Sequence, residues 1–278
     1  MDYQRKIDFA IKLLRSIPQD GPIELSYSGG KDSDVILELA KMAGIPFEAI
    51  YKNTTIDPPG TIAHARAVGA TIVQPSKTMF QVIEQKGWPS RFNRFCCAEL
   101  KEYSIHRRAI QGIRRSESTK RAARYKEPEI CRTYKAGDNV RIYYPILEWT
   151  EEDVARFVEE RGIKCHQLYY DAQGKFHPER RLGCIGCPLA SGNGRKEFEK
   201  YPKMLRAWIK AEQAHLISHP NSKSADKFEN NAYNVAYFVI FCKNMEQYRA
   251  AVKPPLFPEL GIDTKQYLEN YFHIDLTL

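Results

Sequence analysis

The chain has 278 residues, with 42 Lys and Arg against 34 Asp and Glu, for a formal net charge of +8. Mean hydropathy is −0.51, and no apolar run reaches the roughly 18 residues a membrane-spanning helix needs. The most apolar stretch, VAYFVIFC at 235–242, is short and has polar flanks, and the first twenty residues lack the apolar centre of a secretory signal. These features predict a cytoplasmic protein without a membrane partner.

Apolar residues at helical spacing (Ile7, Phe9, Ala10, Leu13, Leu14) predict a helix over 2–16. IELSY at 23–27 reads as a buried strand, and SDVILELAKMAG at 33–44 as a helix ending at Gly44. FEAIYKN at 47–53 and TIVQPS at 71–76 read as further strands, separated by a Pro-rich loop at 54–61 and a helix to about Val68. A helix is expected from Ala98 to Gly112 and a strand at 141–146. Another helix follows at 149–162, with Thr150 as cap, Asp153 at the reciprocal position and Trp149 able to staple onto Val154. Residues 163–195 are loop-rich, and from 196 onward the pattern is helical. Alternating strands and helices predict an α/β fold: a doubly wound, mainly parallel, Rossmann-like sheet over 1–195, with a helical extension over 196–278. That extension could serve as a dimer face, a nucleic-acid clamp or a lid.

The chemistry concentrates in three places. Between the first strand and its helix stands Ser28-Gly29-Gly30-Lys31-Asp32-Ser33. Glycines let backbone N–H groups approach a ligand, the helix start adds a positive dipole end, Lys31 adds a charge, and Ser28 and Ser33 add hydroxyls. Together they make an anion cradle at a strand's carboxyl end. The spacing is not that of the GxxxxGK[ST] loop. Second, residues 101–135 hold eleven Lys or Arg and four acids, a local excess of +7. This suits a nucleotide or a nucleic acid, or is simply a solvated basic face. Third, of seven cysteines, Cys96 and Cys97 are adjacent and Cys184 and Cys187 form Cys-Ile-Gly-Cys. Four thiolates would suit a [4Fe–4S] cluster or a zinc ion.

The SGGKDS loop resembles that of the adenine nucleotide α-hydrolase superfamily, the PP-loop ATP pyrophosphatases. TTIDPPG, FCCAELK, GIRRSESTKRA at 112–122, YYPILEWTEEDV and RRLGCIGCP are similar to successive blocks of its phosphoadenosine phosphosulfate (PAPS) reductase-like family. The likeness covers about 20–190. It is nearest to the iron–sulfur sulfonucleotide reductases and to the ATP pyrophosphatase of DNA phosphorothioation. The resemblance implies an adenine nucleotide, either ATP or PAPS or adenosine phosphosulfate (APS), with Mg2+ as a companion of its phosphates. Ser28, Gly29, Gly30, Lys31, Asp32 and Ser33 would hold the phosphates. Asp57 would adjoin them, and Arg114, Arg115, Glu117 and Ser118 would complete the anion site, with Arg180 and Arg181 able to join. Lys31, Asp32, Asp57 and Arg114 would be catalytic. Cys96, Cys97, Cys184 and Cys187 would ligate a [4Fe–4S] cluster.

Assimilatory reductases of that family attack sulfur with a cysteine in Glu-Cys-Gly-Leu-His near the C terminus, whereas this chain ends NYFHIDLTL. Cys242 lies in an apolar helical pattern and reads as core. Cys131 and Cys165 remain as candidate sulfur carriers. The leading expectation is therefore an ATP pyrophosphatase that adenylates a substrate, a nucleic acid being favoured, so that sulfur from a partner such as a cysteine desulfurase can be inserted. A sulfonucleotide reductase and a non-catalytic nucleotide-binding module are the alternatives.

Overall fold

A computed structural model describes residues 2–133, 139–254 and 260–278. Helix α1 (Tyr3–Arg15) precedes β1 (Ile23–Tyr27), α2 (Lys31–Ala43), β2 (Glu48–Lys52), α3 (Thr61–Ala67) and β3 (Thr71–Val73). Next come α4 (Met79–Lys86), α5 (Phe95–Leu100), β4 (Arg108–Ile110), α6 (Thr119–Arg124), β5 (Glu129–Thr133), β6 (Asn139–Tyr143) and α7 (Glu151–Glu160). The rest is helical: α8 (Arg195–Lys200), α9 (Pro202–Ser218), α10 (Lys223–Lys227), α11 (Ala232–Phe241), α12 (Met245–Val252) and α13 (Thr264–Phe272). Among the described residues no helix is long and apolar enough to cross a membrane.

The chain forms two compact units. The first comprises residues 1–53, 58–74 and 100–182, and the second 54–57, 75–99 and 183–278. The 195/196 boundary drawn from the sequence lies inside the second unit.

The first unit holds the sheet, in the order β3-β2-β1-β4-β6-β5. All neighbours are parallel except β5 with β6. This is the α/β, doubly wound, mainly parallel arrangement that the strand–helix alternation predicts. Period-2 alternation splits its apolar side chains between two cores. Leu25, Tyr27, Tyr51, Ile110 and Tyr143 share one with α1, α2 and α7. Ala109, Val140, Ile142 and Tyr144 form the other. Helix α7 starts as predicted, with Thr150 accepting from the Asp153 N–H at 3.2 Å and Asp153 accepting from the Thr150 N–H at 2.7 Å.

Two expectations are corrected. The helix expected over 98–112 stops at Leu100, and Arg108–Ile110 is instead a central strand with a parallel neighbour on each side. The buried carboxylate of Glu24 explains the stop: it accepts from the Ser104 hydroxyl and the Ile105 N–H, both at 2.8 Å, which holds that segment out of a helix. The strand expected at 141–146 runs over 139–143, paired with a β5 that the sequence reading did not include.

The second unit is built on α4, α8, α9, α11 and α13. Trp88, Phe198 and Trp208 pack together, with Trp88 and Trp208 ring centroids 5.0 Å apart. Tyr237, Phe241, Tyr267 and Tyr271 interlock α11 with α13.

Candidate functional site

The apolar β1 delivers the chain to Ser28 at the centre of the sheet. Gly29 then takes φ 76°, and a Cβ there would stand 2.9 Å from Thr61 Cγ2, so only glycine fits this turn. Gly30 caps α2, its carbonyl receiving the Ser33 and Asp34 N–H groups at 2.9 and 3.1 Å and the Ser33 hydroxyl at 2.7 Å. Ser28 Oγ accepts from the Gly30 N–H at 3.4 Å and donates to Ser33 Oγ at 3.3 Å. The loop is thus a closed turn on the start of a 13-residue helix, where backbone donors and the dipole both favour an anion.

Asp32 gathers two cations beside it. Lys31 Nζ lies 3.5 Å from Asp32 Oδ2, and the buried Arg114 donates from Nε to Asp32 Oδ1 at 2.6 Å. Arg114 also donates to Ser116 Oγ at 3.1 Å, and Ser116 donates to the Trp149 carbonyl at 2.8 Å. The exit of β4 runs close by: a Cβ at Gly112 would meet the Asp32 carbonyl oxygen at 2.9 Å. The loop after β1 and the segment after β4 therefore meet where the strand order reverses, which is where open α/β sheets bind ligands.

A cavity of about 800 Å3 opens there, within the range of small-molecule sites. Ser28, Gly30, Lys31, Asp32, Ser33, Arg114 and Glu117 line it, as do Arg121, Arg180 and Arg181. Its cations are matched by an equal number of carboxylates, Glu151, Glu152 and Glu179 among them. Glu117 is ion-paired with Arg121 and accepts from the Arg114 N–H at 3.3 Å. Arg180 is anchored to the Leu168 and Tyr170 carbonyls at 3.3 and 2.7 Å.

Tyr169 is a lining residue the sequence reading missed. Its hydroxyl receives the Leu182 N–H at 3.4 Å and the Lys31 N–H, and its ring lies 5.6 Å from Lys31 Nζ. Burial pushes this phenol well above its ordinary pKa. The available signal was the aromatic pair Tyr169-Tyr170 within a stretch that otherwise reads as loop.

Other predicted residues go elsewhere. Arg115 turns to Glu148 and to the Tyr125 and Lys126 carbonyls and does not line the cavity. Ser118 caps α6, accepting from the Arg121 N–H at 3.2 Å. Asp57 belongs to the second unit, where it accepts from the Thr54 N–H at 3.1 Å and from the Cys184 thiol at 3.6 Å. Of the basic window, Arg108, Arg114, Arg115, Arg121 and Arg132 are in ion pairs, and Lys135 lies outside the described residues.

All four paired cysteines fall in the second unit. Cys96 and Cys97 lie in α5, and Cys184 to Cys187 form a turn closed by the Cys187 N–H on the Cys184 carbonyl at 3.2 Å. Cys96 is pushed far above the usual thiol range by a hydrogen bond with Cys97, by burial, and by the charges of Cys97, Cys184 and Cys187. Among the described residues no group of three or more His, Cys, Asp or Glu is placed to hold a metal ion. Cys165 and Cys242 are buried and pushed up by that burial, Cys165 further by Asp34. Both are therefore poor nucleophiles. Cys131 is exposed on β5.

Residues 22–190 match the family model of the phosphoadenosine phosphosulfate reductase domain. An uncharacterized protein of Methanocaldococcus jannaschii is 28% identical over 203 residues, covering 67% of this chain and 46% of that one. An uncharacterized 37.8 kDa protein of Escherichia phage 186 is 32% identical over 135 residues, covering 42% and 37%. This chain thus spans less than half the length of these two curated relatives. Sulfate adenylyltransferase subunit 2 of Shewanella baltica is 27% identical over 294 residues, covering 81% and 95%. Among solved structures, a PAPS reductase from Candida auris in a phosphate complex is 16% identical with a TM-score of 0.45, covering 66% of this chain and 88% of that one. With more than half of its length matched by the family model, the chain belongs to the phosphoadenosine phosphosulfate reductase domain family, within the PP-loop ATP pyrophosphatase superfamily.

Proposed function

We propose that the chain is an adenylyl-transfer enzyme of the ATP pyrophosphatase type. The observation that carries this reading is the closed Ser28–Ser33 turn with Lys31 and Arg114 converging on Asp32 in one cavity. An oxygen of the acceptor attacks the α-phosphorus of ATP. The new bond is acceptor oxygen to phosphorus, and the bond to the bridging oxygen of the β-phosphate breaks. Pyrophosphate leaves with that electron pair. The loop amides, the Ser28 and Ser33 hydroxyls, Lys31 and Arg114 stabilise the charge that builds on it, while Asp32 orients both cations. Mg2+, where bound, would accompany the phosphates. Sulfide, released by a thiol reductant from the persulfide of a donor protein of the cysteine desulfurase class, then attacks the acceptor atom that bears the adenylated oxygen. The bond from that atom to the oxygen breaks, and AMP leaves carrying the oxygen and its electron pair.

Nucleic acid is the acceptor we favour, because Lys120, Arg124 and Lys126 stand exposed around α6 with no ion pair among the described residues and suit a phosphate backbone. DNA phosphorothioation is one such reaction. The Shewanella relatives' name makes a sulfate oxygen the rival acceptor and implies a partner subunit. Cys96, Cys97, Cys184 and Cys187 would hold a [4Fe–4S] cluster. Their all-sulfur donor set suits one, and a cubane spreads its cysteines wider than a single tetrahedral ion does. When bound it would supply sulfide or electron chemistry. Anaerobically purified protein should then carry iron and acid-labile sulfide and lose both in Cys187→Ser. One zinc per chain and no iron would replace the cluster.

The matched family's name favours a second reading, a sulfonucleotide reductase, which predicts thioredoxin-dependent sulfite from PAPS or APS. A non-catalytic nucleotide module would bind without turnover. The test of the leading reading is Lys31→Ala. Conversion of ATP to AMP and pyrophosphate should fall at least about a hundredfold, the scale of losing one transition-state cation. Unchanged turnover would sink the reading.

A further inference from the structure

Beneath the phosphate loop lies a hydrogen-bond set that the reaction does not use. Asp34, on the first turn of α2, is 3% exposed. Tyr27, the last residue of β1, donates its hydroxyl to Asp34 Oδ1. His64 of α3 places Nε2 at 3.0 and 3.2 Å from the two carboxylate oxygens, so this nitrogen carries the proton. The buried Cys165 thiol is a third donor to Asp34. Burial, and next Asp34, push both Tyr27 and Cys165 above their ordinary pKa values, so both stay protonated donors.

Tyr27 and Asp34 bracket the six residues Ser28–Ser33, and the bond between them closes the base of the loop. His64 carries the closure to α3, whose Thr61 fixes the turn at Gly29. None of Tyr27, Asp34 and His64 lines the cavity. The α2 hydrogen bonds order the loop only from Gly30 onward. Gly29 has no side chain to anchor, and glycine loses the most conformational freedom on ordering. Something at the flanks must aim the amides before the ligand arrives, and this set is placed to do so.

We propose that Asp34, held by Tyr27 and His64, is the positioning residue of the phosphate loop, acting through Ser28, Gly30, Lys31 and Ser33 on the phosphate chain of the nucleotide. This rests on the reading of the loop as a nucleotide site.

The test titrates an ATP analogue with a methylene in place of the α,β-bridging oxygen into the natural chain and into Tyr27→Phe, His64→Leu, His64→Gln and Lys31→Ala. Hydrogen exchange of the 28–33 amides is followed alongside. His64→Leu and Tyr27→Phe should weaken the analogue about tenfold, the scale expected when a supporting shell loosens. KM for ATP should rise with little change in kcat. His64→Gln, which can still donate to Asp34, should stay within about twofold. Exchange at 28–33 should quicken in the empty variants and slow again with saturating analogue, while Leu25 in β1 is unaffected. Unchanged affinity and exchange in folded His64→Leu and Tyr27→Phe, with binding lost in Lys31→Ala, would overturn the positioning role alone. Binding intact in Lys31→Ala would overturn the nucleotide site and this proposal with it. If His64→Leu does not fold, Tyr27→Phe decides, since it removes one oxygen and keeps the buried ring.

Discussion

Two buried glutamates, one in each unit, meet opposite fates. Glu24, on β1 of the first unit, is 0% exposed. Its carboxylate accepts from Ser26, Lys52, Ser104 and the Ile105 N–H, each at 2.8 Å. Burial pushes its pKa up, but the Lys52 charge and the four donors outweigh burial, and the value ends below the ordinary 4.5. Glu212, on α9 of the second unit, is 1% exposed, and among the described residues neither carboxylate oxygen meets a donor at full hydrogen-bond geometry. Burial lifts it to about 7, with the looser approach of the Trp88 backbone N–H pulling the other way. Depth is nearly the same in the two places, so the partners decide which carboxyl stays an anion. The first unit satisfies its buried charge and can pin a chain segment with it. The second buries a group that prefers its proton.

The comparison gives opposite pH dependences. Glu24 contributes stability that is present above pH 4.5 and lost as pH falls through its lowered folded value. Glu212 contributes stability that is fully present below pH 4.5 and lost as pH rises through about 7.

The largest expected effect comes from breaking the satisfied member. Glu24→Ala removes the only ion-pair partner of Lys52 among the described residues, leaving its ammonium, whose side chain is 10% exposed, to the Tyr103 carbonyl and ring, and should cost about 4 kcal/mol in urea unfolding. A loss of under about 1 kcal/mol would show that Lys52 finds water or another partner. Next, Glu212→Gln should gain on the natural chain as pH rises from 4.5 to about 7, by roughly 3 kcal/mol in all. A constant difference across that range would mean that Glu212 is ionised when folded. The smallest effect belongs to a half-buried polar contact at the start of α7. Thr150→Ala removes one cap bond and should cost about 1 kcal/mol, with no pH dependence from either glutamate disturbed.

The same contrast explains what the sequence makes legible. The phosphate loop and α7 are coded locally: two glycines before a helix, and a Thr–Asp capping pair. Local signals of that kind survive folding unchanged. Strand β4 is three residues, Arg108-Ala109-Ile110, and exists because β1 and β6 lie on either side of it. Nothing within three residues can announce that. The end of α5 is likewise set from outside, by Glu24 reaching Ser104 and Ile105. Arg115 carries the same charge as Arg114 next to it, yet Glu148 and two carbonyls turn it away from the cavity. Charge is visible in a sequence, but the direction of a side chain is not. Tyr169 joins the site from a single 3-10 turn, Gln167–Tyr169, because Leu182 and Lys31 offer it two N–H groups.

The most direct measurement is anaerobic incubation of the protein with ATP and a nucleic-acid acceptor, and separately with APS and PAPS, following pyrophosphate and sulfite together. Adenylyl transfer predicts pyrophosphate from ATP, abolished in Lys31→Ala, and no sulfite from either phosphosulfate. Sulfite released without any pyrophosphate would contradict it and make the protein a reductase.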